Sequence, residues 1–207
     1  MDKIARMACG VTVAVAGVAL AAGPAAAHMT PNEDEVPDDA FTSVTLVVGH
    51  GCDGSPTDEV TVHIPEGVTN VAPEAKPGWD IEVVEEELDE PMEGPHGDIT
   101  EVVTEVIFTA EEGNELPDGF RDGFTLGFRT TATEPGDHLF FKSIQSCEEG
   151  EHAWIEEYVR GVTEGDEPEE PAPSVLVVAD EADASEGDAE AAEGDEAAAA
   201  GSGAAEG

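Results

Sequence analysis

A two-residue rhythm of apolar side chains constrains this chain more than any other feature. In "FTSVTLVV" Val44, Leu46 and Val48 fall on one side, and in "DEVTVHI" Val60, Val62 and Ile64 do the same. The segments "WDIEVVE", "TEVVTEVIFTA", "FTLGFRTT", "HLFFKSI", "HAWIEEY" and "PSVLVV" follow, rich in β-branched and aromatic residues that suit a pleated, half-buried surface. Turn formers stand between them: "GHGCDGSPT", "PEGVTNVAPEAKPG", "EPMEGPHGD", "ELPDGFRDG" and "TEPGD". No segment after the first thirty residues repeats its apolar positions at helical spacing. The pattern predicts an all-β domain of about eight short strands, with two sheets packed as a sandwich.

The first 27 residues obey different rules. Lys3 and Arg6 precede the apolar run "MACGVTVAVAGVALAA", and Ala25-Ala26-Ala27 supplies the small-residue pattern that signal peptidase cleaves. The run is too short for a stable membrane span. The predicted mature chain is secreted and starts at His28, after cleavage at Ala27-His28. A terminal histidine carries two nitrogens able to close one chelate ring, the α-amine and imidazole Nδ1. A divalent ion can displace the protons of both at neutral pH.

Charge excludes several functions. The formal net charge is −42, and 49 acidic residues face seven basic ones. Nucleic acids and anionic lipid surfaces would repel such a chain. From Glu164 onward there are 15 acids and no base, in an Ala/Gly-rich run that cannot bury enough apolar surface to offset chain entropy. Residues 28–163 are therefore read as the domain and 164–207 as a disordered acidic tail. Within that tail, residues 174–178 are a candidate last strand, because four consecutive apolar residues ill suit a solvated segment. The domain itself remains strongly acidic, which suggests a surface adapted to high salt.

Cys9 leaves with the leader, so Cys52 and Cys147 form an even pair in an exported chain. A disulfide is the default, with a thiolate metal site as the competing reading. Of the six histidines, His63, His96, His138 and His152 read as surface residues. His50 lies in "GHGCDGSPT" beside Cys52 and Asp53, where a pinned glycine-rich turn can hold a metal ligand or simply a turn histidine. Trp79 in "KPGWD" starts a strand and has the ordinary core reading of tryptophan there.

The order of "AHMT", "GHGCDGSPTDEVTVHIPEGV", "KPGWDIEV", "LPDGFRDGFTLGFRT" and "GDHLFFKSIQSCEEGEHAWIEE" resembles the YcnI-like family of secreted copper-binding domains, from His28 to Val159. The resemblance implies a cupredoxin-like β-sandwich that binds Cu(II) through its N-terminal histidine in a monohistidine brace. It also implies an acidic residue that helps hold the metal and a tryptophan beside it. Carried over, the N-terminal ligand is His28 and the tryptophan is Trp79. The acidic position falls at or next to His50, a departure from the pattern. Either His50 replaces the carboxylate, or Asp53 or Glu33 reaches in.

Nitrogen donors in a plane suit Cu(II), and a blue-copper site would need a thiolate that the disulfide consumes. The expected function is an exported copper carrier that passes Cu(II) to a CopC- or CopD-like uptake partner. An oxidative copper enzyme with an N-terminal histidine would need a second in-plane histidine and a broad aromatic face, and aromatics make up only 5% of the chain. A metal-free envelope sandwich is the third reading.

Overall fold

The computed structural model describes residues 28–94 and 97–180. The expected leader with Cys9, His96 and the part of the tail from 181 onward lie outside the described residues. Twelve strands follow in chain order. They are β1 (Thr30–Pro31), β2 (Glu35–Pro37), β3 (Phe41–Val48), β4 (Thr57–His63), β5 (Val68–Pro73) and β6 (Trp79–Met92). Then come β7 (Ile99–Ala110), β8 (Asp122–Thr130), β9 (His138–Phe140), β10 (Ser143–Cys147), β11 (Glu151–Trp154) and β12 (Ser174–Val178). There is no helix among the described residues. The all-β expectation holds; the excess over eight strands comes from the short β1 and β2, from β5 inside the segment "PEGVTNVAPEAKPG" read as turn, and from the split of "HLFFKSI" into β9 and β10.

The strands form a four-stranded sheet, β1-β3-β8-β5, and a five-stranded sheet, β11-β10-β4-β7-β6. Strand β3 buries Val44, Leu46 and Val48, and β8 buries Phe124, Leu126 and Phe128. From the second sheet Val60, Val62, Val106 and Phe108 join the same core. Phe108 meets Phe124 edge-on at 5.1 Å between ring centroids, so aromatic contact fastens one sheet to the other. This is the sandwich that the alternation predicts.

A third sheet, β2-β12-β9, extends that core with Val36, Leu139, Val175 and Val177. Strand β12 runs parallel to β2, with Val177 opposite Val36, and antiparallel to β9. The candidate strand at 174–178 is therefore an integral one. The preceding stretch, read as tail from Glu164, also docks on the fold. Glu156 and Pro171 form an isolated bridge, and the Ala172 N–H donates to the Glu156 carbonyl at 2.8 Å. Composition misplaced this boundary because a few buried apolar residues anchor a segment that is otherwise acidic and proline-rich.

Candidate metal centre

His28 sits just ahead of β1, whose antiparallel register with β3 sets Thr30 opposite Val47. That direction of travel leads residue 28 toward the end of β3, where His50 begins the glycine-rich turn. The turn is tightly held. The Gly51 N–H donates to Asp118 Oδ1 at 3.0 Å, and any Cβ at position 51 would stand 2.0 Å from the Ser55 carbonyl oxygen. Asp53 and Gly54 follow with φ of 50° and 95°, closing a two-residue hairpin between Cys52 and Ser55. Cys52 is disulfide-bonded to Cys147 at the end of β10, as the cysteine count predicts.

Strand β11 supplies the rest. His152 and Trp154 alternate onto one side, and their rings stack at 5.0 Å with an interplanar angle of 32°. Trp154 is buried, and three imidazoles surround it: His152, His28 at 6.1 Å and His50 at 6.5 Å between centroids. His50 and His152 meet edge-on at 5.4 Å. Buried Gln145 in β10 fastens the group. Its Oε1 accepts from Trp154 Nε1 at 3.0 Å, and its Nε2 donates to the His50 carbonyl at 2.7 Å and to Thr57 Oγ1 at 2.8 Å. One side chain thus ties the turn to the strand.

Two carboxylates come from the segment once read as tail. Glu167 Oε1 lies 3.4 Å from His28 Nδ1, and its Oε2 accepts from Arg160 at 2.5 Å. Glu170 Oε1 pairs with His152 Nδ1 at 2.8 Å, while its Oε2 accepts from the Ala153 N–H at 3.2 Å. The arrangement is three imidazoles on an indole, with two of the three backed by carboxylates. Among the described residues no group of three or more His, Cys, Asp or Glu side chains is disposed to hold a metal ion.

Some expected site residues lie elsewhere. Trp79 is a core residue at the start of β6, edge-on to Phe124 at 5.1 Å and beneath the Lys76 ammonium. The tryptophan against His28 is Trp154. Asp53 occupies the exposed tip of its hairpin, and exposed Glu33 is engaged by Asn32 Nδ2 at 3.4 Å; neither contacts the imidazole cluster. His63 Nδ1 faces Glu105 across the β4–β7 pair at 3.2 Å, a half-exposed strand histidine as read. His138 stands in the third sheet near Phe140. His152, read as a surface residue, belongs to the cluster. Its period-two relation to Trp154 was the available signal.

No helix among the described residues is long and apolar enough to cross a membrane. No curated protein matches the chain. An uncharacterized protein from Nocardia farcinica with an immunoglobulin-like fold is 22% identical, with 73% of this chain and 98% of that one covered at a TM-score of 0.56. That likeness concerns the fold alone. A cohesin module of a family 33 glycoside hydrolase from Clostridium perfringens overlaps 74% of this chain and 97% of its own at 11% identity and a TM-score of 0.42, too distant to inform function. The model of a domain of unknown function, DUF1775, matches residues 28–177, from the histidine beside Trp154 through nearly all of β12. The chain therefore belongs to the DUF1775 family.

Proposed function

We propose that this chain is an exported Cu(II)-binding protein, a carrier rather than a catalyst, which holds copper through His28 as its mature N-terminal residue. The observation that carries this reading is the position of His28. The residue that leader cleavage would free is packed beside Trp154, with a carboxylate 3.4 Å from its Nδ1. The family match also begins at that residue, and the YcnI-like family carries this same domain.

Cleavage before His28 turns a backbone amide into a primary amine, and the amine and Nδ1 are then the two donors of one chelate. Glu167 fits the acidic partner that the resemblance implies, in place of Asp53 or Glu33. Arg160 holds its second oxygen and keeps the carboxylate turned toward His28. Trp154 covers one side of the imidazole and keeps bulk water off it. His50 lies across the same indole, 6.5 Å from it between ring centroids, and is not part of this chelate. Copper(II), when bound, supplies the preference for nitrogen donors in a plane that selects this set. Delivery to a CopC- or CopD-like uptake protein completes the proposal.

Cu(II) titration of the processed protein, beside a form with one extra residue ahead of His28, tests it. The extension should weaken Cu(II) at least about tenfold and change its visible spectrum, since one ligand is lost. Equal affinity and an unchanged spectrum would remove the reading.

A further inference from the structure

The chelate at His28 leaves two imidazoles of the cluster without a role. His50 Nδ1 faces the Gly51 carbonyl oxygen, which can only accept, so Nδ1 carries the proton. His152 Nδ1 faces the Glu170 carboxylate at 2.8 Å and is likewise the protonated nitrogen. A ring whose Nδ1 donates in this way offers its lone pair, when neutral, at Nε2. His152 Nε2 is buried and has no hydrogen-bond partner, an unusual state for a buried nitrogen. The two rings meet edge-on at 5.4 Å, and both lie against Trp154.

We propose that His50 and His152 form a two-nitrogen site for Cu(I), separate from the amine chelate at His28. The donor count points to this oxidation state. A divalent first-row ion wants four or more donors, and the Nε2 atoms of this pair supply only two. The d¹⁰ cuprous ion is satisfied by two nitrogens in a roughly linear arrangement, and a buried nitrogen beside an indole offers no water to complete a larger shell.

The supports are those of a built metal site. Glu170 orients His152 through its far nitrogen, the carboxylate–histidine arrangement that fixes a ligand's tautomer. Gln145 holds the His50 carbonyl and the Trp154 N–H at once, and the disulfide pins the turn that carries His50. The site needs no free amine, so it stands or falls independently of the proposed function.

The test uses the form with one residue ahead of His28, in which the Cu(II) chelate is removed by design. Under anaerobic conditions Cu(I) is competed against a chromophoric cuprous chelator. The expected result is one Cu(I) per chain, weakened at least about tenfold by either His50→Ala or His152→Ala. His152→Gln keeps a donor toward Glu170 and should weaken Cu(I) to the same extent, which separates ligand loss from loss of fold. Competition by the His50→Ala/His152→Ala double variant equal to that of its parent would overturn the proposal.

Discussion

The two tryptophans do different work, and each can be assigned by substitution. Trp79 is a core ring on Phe124, so Trp79→Phe should lower stability by about 1–2 kcal/mol through partial loss of packing. Trp154 touches all three clustered imidazoles, so copper added to the processed protein should quench its emission. Trp154→Phe should abolish most of that quench while Trp79→Phe leaves it, as read by fluorescence titration. The reverse pattern would place the metal at β6, the opposite edge strand of the five-stranded sheet. Gln145 is the second residue whose change is informative. Gln145→Leu strips partners from the buried Trp154 N–H and from the His50 carbonyl, and should cost roughly 2–4 kcal/mol in urea unfolding. At this scale the sequence was half legible. His28 and His50 stood out because each follows a recognisable local event, a cleavage pattern and a pinned turn. His152, Trp154, Glu167 and Glu170 did not, because their meeting depends on which strands pair and on how the last segment returns. Spacing along one chain carries neither.

The strands themselves were the legible part. In β3 the alternation in "FTSVTLVV" is realised residue by residue, with Val44, Leu46 and Val48 buried between partly exposed neighbours. The failure lies at the other end, where composition reads residues 164–173 as tail although they lead into β12. Charge density dominates composition there, yet buried Ala172, Val175 and Val177 decide the outcome. Truncation measures this directly. Ending the chain after residue 163 removes β12, leaves Leu139 and Val36 uncovered, and takes both carboxylates from the cluster. Each lost buried valine alone is worth about 1.5–3 kcal/mol, so calorimetry should find a much lower Tm or no cooperative transition. Ending it after residue 180 removes no described strand and should leave Tm within a few degrees. The disulfide acts on the same scale, closing 95 residues between the His50 turn and β10. In the chain-entropy model, Cys52→Ala/Cys147→Ala should cost about 4–5 kcal/mol. A cost near zero would mean that Asp118 and Gln145 suffice to hold the turn.

For the molecule as a whole, the dominant fact is like charge confined to a small volume. Only Lys76, Arg121, Arg129, Lys142 and Arg160 follow residue 27 as basic residues. Lys76 is paired with Asp122, Arg129 with Asp39, Lys142 with Glu157 and Arg160 with Glu167, so the cations available for neutralisation are largely spent on local pairs. Most of the described acids lie outside these four pairs. Along β6, Glu82, Glu85, Glu86 and Glu87 stand exposed within six residues, on a strand at the edge of its sheet. Folding brings such charges closer than they lie in the extended chain, and the repulsion opposes the compact state. Added salt weakens it, since the screening length falls from ~30 Å at 0.01 M to ~3 Å at 1 M. The four local pairs are screened too, but exposed pairs contribute only about 0–1 kcal/mol each. The sign of the salt dependence follows from this imbalance: stability should rise with ionic strength, steeply up to about 0.1 M and more slowly beyond, where the Debye length is already shorter than most separations between charges. Potassium chloride is the right probe, because sulfate would strengthen apolar burial on its own account. Thermal unfolding across that range should give a rising Tm, and a flat or falling curve would mean that the acids are spaced widely enough for water alone to screen them.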